Sequence, residues 1–141
     1  MGRNYPIIST VSRPLLLLLD GFFFTAHTLL ILINVFGGLF ERTRRLNLIT
    51  ICLTAMSWIV LGYWFGWGYC ICTHWHWEVR RALGIHDAAR SYNQLLVYKI
   101  SGWLPAEELT SNVAATIFLV AILIQVIFGI RKIRQRVATK G

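Results

Sequence analysis

The chain has 141 residues, of which 56% are hydrophobic and only 14% are charged. Soluble domains are normally about a quarter charged, and the apolar residues here form long runs, so the composition excludes an ordinary soluble domain and indicates a membrane protein. The formal net charge is +8, but the basic residues lie beside the apolar runs, where they favour topology signals and lipid contacts over nucleic-acid binding.

Three apolar runs, at 14–40, 46–69 and 111–131, are each long enough to cross a bilayer. Backbone polar groups must be satisfied internally within lipid, so each run is predicted to be a helix. The short connection "ERTRR" between the first two runs makes them an antiparallel hairpin. The predicted fold is therefore all-α, an integral membrane bundle of three transmembrane helices that forms one domain over 1–141.

The first helix carries three polar residues, Asp20, His27 and Asn34, spaced by seven positions. This spacing places them on almost one helical face. Polar groups within a membrane are costly, so the stripe should face protein, water or a ligand. We expect a ladder of interhelical hydrogen bonds with polar residues of the other two helices. The alternative is a proton relay or a porphyrin or chlorin ligand at His27, which is the candidate cofactor-binding residue.

Aromatic residues crowd the end of the second helix and the positions that follow it. Trp and Tyr favour the headgroup layer of a membrane. We therefore expect an aromatic anchor at the outer interface, which includes Trp64, Trp67, Trp75 and Trp77.

The stretch "YCICTHWHWEVRR" (69–81) places Cys70, Cys72, His74, His76 and Glu78 on alternate positions. An extended backbone would put them on one face, whereas a helix would stack residues four apart. Structural zinc normally uses two separated ligand pairs, and covalent haem attachment needs Cys-x-x-Cys-His, one residue more than "CICTH". The two cysteines and two histidines are thus weak metal candidates, and neither a metal site nor a cofactor is predicted.

The loop at 70–110 is predicted to contain a helix that lies in the membrane interface, since its apolar residues fall roughly along one helical face. These residues are Tyr92, Leu95, Leu96, Ile100, Trp103 and Leu104. Pro105, Glu107 and Glu108 are typical of an opening helical turn. We expect the third helix to begin there and to continue past the membrane into "RKIRQR".

The basic tail at 131–141 holds more positive charge than the loop at 70–110, which also contains acids. The positive-inside rule therefore predicts a cytoplasmic C-terminus, with the N-terminus and the loop outside. Arg131, Lys132 and Arg134 are expected to contact lipid headgroups or a partner.

The chain resembles a family of small bacterial membrane proteins that is catalogued as a domain of unknown function and marked by a Cys-Pro-Leu-Thr motif. The residues that carry the resemblance are His27, Gly37, Gly38, Ser57, Trp58 and the stretch "GYCICTHWHWEVRRALG" at 68–84. Cys70, Thr73, Arg80 and Gly84 match the family's Cys, Thr, Arg and Gly; Ile71 and Cys72 replace its Pro and Leu, and His76 stands where Glu is common. The resemblance implies a helical integral membrane protein and no particular activity.

The size of the chain bears on its function, because a chain this small has little room for an active site of its own. The sequence has no P-loop, G-x-G-x-x-G or G-x-S-x-G motif, so no catalytic residues are predicted. We expect a non-catalytic accessory subunit that stabilises a larger membrane complex, such as a respiratory or photosynthetic assembly. It would lie in the bacterial inner (cytoplasmic or intracytoplasmic) membrane, with other membrane subunits and lipids as partners. The alternative is a small membrane enzyme or a metal-, haem- or chlorin-binding protein that uses His27 or the 70–78 cluster.

Overall fold

The computed structural model describes residues 11–66, 68–86 and 88–139. Within these ranges the regular secondary structure is entirely helical. Three helical stretches are long and apolar enough to cross a membrane, namely Arg13–Leu39, Arg44–Phe65 and Glu107–Gln135. The all-α fold with three candidate transmembrane helices is thereby confirmed.

Helix α1 spans Arg13–Phe36 and continues into a 3-10 turn at Gly37–Leu39. Pro14 lies in its first turn, where a missing backbone N–H breaks no helical hydrogen bond. The chain then reverses, and helix α2 spans Arg44–Met56. The two helices pack side by side, which gives the expected hairpin.

The second span changes geometry after α2. Ser57–Leu61 forms a π-helical turn, which helix α3 follows at Gly62–Phe65. Gly66 ends the span with a φ of 105°, a conformation that glycine adopts without the strain of a side chain. The helix therefore stops four residues before the predicted position 69. Wider π-helical turns are rare and occur frequently at functional sites.

Two shorter helices connect the second and third spans. Helix α4 spans Ile71–Ala82, and helix α5 spans Tyr92–Ser101, within the segment predicted as interfacial. A capping box between Ser91 and Gln94 fixes the start of α5. Helix α4 packs along α1, with a small apolar core where Leu16 of α1 meets Val79 and Leu83.

Helix α6 spans Glu107–Ala138 and is the longest element. Its first turn carries Glu107 and Glu108, whose negative charges favour the positive end of the helix dipole. It extends beyond the apolar run at 111–131 on both sides, because the acidic turn before the run and the basic segment after it are both helical. This agrees with the expected start after Pro105 and continuation into "RKIRQR".

A buried amide joins the three spans at the end away from α4. Asn47 is fully buried, and its amide nitrogen donates hydrogen bonds to the carbonyls of Ile33 and Asn34. Its amide oxygen accepts a hydrogen bond from Gln125 of α6. A Cβ added to Gly38 would lie 3.1 Å from both the Asn47 oxygen and the Gln125 nitrogen. The close approach of the helices here therefore favours glycine.

Most side chains of the spans face outward. In the most apolar 18-residue window of each span, only 6%, 11% and 11% of the residues are buried within the protein. Large residues such as Leu18 and Phe22 are 70% and 64% exposed. This surface suits contact with lipid or with other membrane proteins.

Candidate functional site

The Cys/His stretch is helical, so its residues are distributed around α4. Cys70 is the residue that precedes the helix, and Cys72 lies in its first turn. The two thiols are neighbours; burial, together with the nearby Cys70, raises the pKa of Cys72. His74 lies one turn before Glu78, with 3.8 Å between its Nε2 and the carboxylate Oε1.

These residues do not converge on one point. His76 turns to Asp20 of α1, whereas His74 faces Glu78 and the two cysteines face each other. Among the residues that the structure describes, no three His, Cys, Asp or Glu side chains lie close enough to hold a metal ion.

Asp20 joins α1 to α4 through a buried polar cluster. Its Oδ1 lies 2.8 Å from Nε2 of His76 and accepts a 2.8 Å hydrogen bond from the Arg80 guanidinium. The side chains of His76 and Arg80 are only 1% and 6% exposed. Phe23 stacks on the His76 ring, with 6.0 Å between the ring centroids. The Asp20 carboxylate of α1 thus pairs with two side chains, His76 and Arg80, that lie one turn apart on the same face of α4.

His27 lies one level deeper, against the start of α5. Its ring stacks on Tyr92 with 4.0 Å between centroids and an interplanar angle of 24°. The Tyr92 hydroxyl donates to the carbonyl of Phe24 and contacts the hydroxyl of Thr28, both at 2.7 Å. These contacts fix the imidazole from one face. The buried Nδ1 atom of His27 has no hydrogen-bond partner within the described ranges.

Asn34 completes the stripe at the second span. Its amide nitrogen donates a 2.9 Å hydrogen bond to the Thr54 hydroxyl, one of the polar residues considered for the ladder. Its amide oxygen is buried and, in the part of the chain that the structure covers, accepts no hydrogen bond. Each residue of the stripe therefore contacts at least one other element of the protein. The partners of Asp20 and His27, however, come from α4 and α5 and not from the other transmembrane helices.

A partly open cavity of about 1270 Å³ lies beside the second and third residues of the polar stripe. His27 and Asn34 both line it, and so do Ser57 and Trp58 of the π-helical turn. The wider turn thus contributes directly to the wall. Most of the remaining wall is apolar, with examples such as Leu30, Ile31, Leu53, Ala114, Ile117 and Phe118. Cys70, Cys72 and His74 line it at its α4 side.

Sequence reasoning singled out His27 and Asn34 but missed this cavity. It also missed the pairing of Asp20 with His76 and Arg80. The spacing of His76 and Arg80 by one helical turn was the available signal, because it places a cation beside His76 on one face of α4.

The residues predicted as anchors are mostly at the surface. Trp64 and Trp75 are 67% and 52% exposed, whereas Trp77 lines the cavity and its indole nitrogen lies 3.4 Å from the Arg90 carbonyl. Trp67 lies outside the described residues. The basic anchors of α6 are all exposed, namely Arg131, Lys132 and Arg134. Their expected roles in anchoring stay predictions.

Comparison with known proteins gives one family. No curated protein matches the chain. No solved structure matches it either. A family model described as "Protein of Unknown function (DUF2784)" matches residues 17–130, which include the whole polar stripe, α4, α5 and the cavity-lining part of α6. The chain therefore belongs to the DUF2784 family.

Proposed function

We propose that this protein is a non-catalytic membrane protein that binds a lipid-soluble, weakly polar molecule in the cavity beside His27 and Asn34. The observation that supports it is a partly open cavity of about 1270 Å³ whose wall is mostly apolar and includes the polar residues His27 and Asn34. A mostly apolar wall with a few polar side chains is typical of sites that bind small molecules.

Binding is favoured over catalysis because the reactive side chains near the cavity are not activated. The raised pKa of Cys72 disfavours the thiolate, which is the nucleophilic form of cysteine. The Ser57 hydroxyl donates to the Tyr69 carbonyl at 3.1 Å, so it does not face a general base. Asp20, the carboxylate of the stripe, is occupied by His76 and Arg80.

The test is to purify the protein in mild detergent, extract it with organic solvent and identify retained molecules by mass spectrometry. Ala114→Phe adds a ring to the cavity wall and should lower the amount of retained ligand at least tenfold. Leu119→Phe is the matched control, because Leu119 is 60% exposed on the same helix and does not line the cavity. Equal retention by the wild type and both variants would contradict the proposal.

A second candidate is the accessory subunit of a larger membrane complex. It is supported by the low burial of the spans, which leaves most of their surface available to other chains. A respiratory or photosynthetic complex of the bacterial inner membrane is the proposed host. Sizing in mild detergent and identification of co-purifying chains test this role. Migration at about 16 kDa of protein, with no stoichiometric companion, would contradict it.

The proposed orientation places the basic end of α6 in the cytoplasm and α4 and α5 on the opposite side. The support is the cluster of basic residues at the end of α6 together with the basic residues in and beside the connection between α1 and α2, including Arg42, Arg44 and Arg45.

A further inference from the structure

We propose that an anionic phospholipid binds at the end of the bundle away from α4, with its phosphate held between the α1–α2 connection and the end of α6. The basic surface that binds it consists of Arg42, Arg45, Arg131, Lys132 and Arg134. None of these residues lines the cavity, so the lipid site is separate from the proposed cavity ligand.

Two contacts show how α6 lies against the start of α2. Gln125 donates a hydrogen bond to the amide oxygen of Asn47. The Arg44 guanidinium lies over the ring of Phe128, 4.3 Å from its centroid. Three residues forward along α6 therefore correspond to three residues backward along α2, so the two helices run antiparallel.

The same geometry brings the two basic segments together. Arg131 and Lys132 follow Phe128 by three and four residues, so they lie one turn further along the same face of α6. On the antiparallel partner, one turn before Arg44 is the connection between α1 and α2, which contains Arg42. Basic residues that are about 90 positions apart in the sequence thus lie at one level of the bundle.

The basic surface has a large excess of positive charge. Its five side chains are exposed, and none of them forms an ion pair with another of the described residues. Glu41 is the only acid in the connection or in the sequence after Gln125. Arg44 adds a further positive charge, although its Nε atom donates to the Gly38 carbonyl at 3.3 Å. Such an excess attracts an anion to this end of the protein.

Both basic segments lie at the level of the lipid headgroups. The span Glu107–Gln135 has 29 residues, which corresponds to a helix of about 43 Å. A bilayer is about 40–45 Å thick with its headgroup layers, around a hydrocarbon core of about 30 Å. The last turns of the span, with Arg131 and Arg134, therefore lie in a headgroup layer. The first span ends at Leu39, so the connection lies in the same layer, where lipid phosphates are the abundant anions.

The opposite face of the α6 end favours a lipid over an acidic protein. Ile133 and Val137 are 64% and 68% exposed, and they lie about 140° and 180° around the helix from Phe128. A helix end with cations on one side and apolar residues on the other suits the membrane interface, where phosphates and acyl chains are both within reach. An acidic protein surface would match the charges alone.

The side chains also indicate which lipids bind. Four of the five residues are arginines, and the planar guanidinium donates two parallel hydrogen bonds to phosphate oxygens. Phosphatidylcholine carries its own positive charge beside the phosphate, which a basic surface repels. Phosphatidylglycerol has no such charge, so the basic surface should prefer it.

The experiment reconstitutes the full-length chain in phosphatidylcholine bilayers with a trace of spin-labelled phosphatidylglycerol or spin-labelled phosphatidylcholine. Electron paramagnetic resonance measures the fraction of each label that the protein immobilises. The wild type should prefer phosphatidylglycerol at least fivefold, since one Lys or Arg near a membrane surface already contributes about that factor. Arg42→Gln with Arg45→Gln, and separately Arg131→Gln with Lys132→Gln, should each reduce the preference to within twofold of none, because both segments hold the phosphate.

Two further variants are controls. Arg90→Gln with Lys99→Gln removes the same charge from exposed residues at the other end of the bundle and should keep the preference. Arg42→Lys with Arg45→Lys keeps the charge and should also retain it.

Preference that both glutamine pairs of the basic surface abolish, and that both controls keep, supports the lipid site. Loss in only one of the two pairs would overturn a site shared by the two segments, and equal preference in every variant would overturn the site altogether. Displacement of the labelled lipid by inorganic phosphate at matched ionic strength would assign the surface to a free anion instead. If the glutamine pairs keep the lipid preference but lose a stoichiometric co-purifying chain, the surface binds an acidic protein and the lipid assignment is wrong.

Discussion

The replacement Asp20→Ala should release α4 from α1. Asp20 is the carboxylate between two nearly buried side chains, and its Oδ1 lies 2.8 Å from both His76 and Arg80. Removal of one partner from a buried ion pair costs about 3–5 kcal/mol. Because the Asp20 side chain is 22% exposed, water partly screens the pair, and we expect the low end, about 3 kcal/mol. Asp20→Asn keeps an acceptor oxygen and should cost about 1.5 kcal/mol, because charge-assisted bonds are about twice as strong as neutral ones.

The assay is unfolding in mixed dodecylmaltoside and dodecyl sulfate micelles, combined with alkylation of Cys70 at the start of α4. If α4 undocks locally, a loss of about 3 kcal/mol should raise the population of the open state, and hence the alkylation rate, about 100-fold. Glu78→Gln is the control on the same helix, because its partner Arg81 is 57% exposed and an exposed pair contributes under about 1 kcal/mol. If Asp20→Ala and Glu78→Gln behave alike, the cluster does not hold α4 in place.

Three further predictions concern packing, thiol reactivity and topology. Asn47→Leu should lower the free energy of unfolding by about 2 kcal/mol in the same assay, because it removes three hydrogen bonds of about 0.6 kcal/mol each. Gln125→Leu removes only one of these three bonds and should cost less. Equal costs would contradict the role of Asn47 in joining the three spans. Burial raises the pKa of Cys72 above its ordinary value of 9.0, so its thiolate fraction is small at pH 8 and still rising at pH 9. Its alkylation rate, resolved by peptide mass spectrometry, should therefore keep rising from pH 8 to pH 9, and a plateau by pH 8.5 would refute this. Ala88→Cys, in a background without the native cysteines, should react with an impermeant thiol reagent from outside the cell, and labelling only after lysis would reverse the proposed orientation.

The spans could be predicted from the sequence because hydrocarbon imposes a simple rule. Long apolar runs must be helical in lipid, so the three helices followed directly from composition. The position where the second one ends did not, since Gly66 could continue a helix or end it. The seven-residue spacing predicted that Asp20, His27 and Asn34 share a face of α1; Asp20 meets α4 there, whereas His27 and Asn34 also line the cavity.

The partners of that face could not be read from the pattern. Periodicity shows which side of α1 is polar, but not which element packs against it. Asp20 meets residues 56 and 60 positions away, and only the way in which α4 folds back onto α1 brings them together. The cavity was hidden for a related reason. Part of its wall is the π-helical turn at Ser57–Leu61, and the apolar sequence of this turn is equally compatible with a regular α-helix.

The residues of the polar stripe differ in a way that bears on function. At one end of the bundle the Asp20 carboxylate is matched by His76 and Arg80, and at the other end the Asn47 amide is matched by carbonyls and by Gln125. His27 and Asn34 line the cavity, and each keeps a buried atom without a hydrogen bond among the described residues. Each such atom costs about 1–3 kcal/mol, and leucine at either position would avoid that cost. The two polar residues therefore fit a functional role at the cavity better than they fit a purely stabilising one.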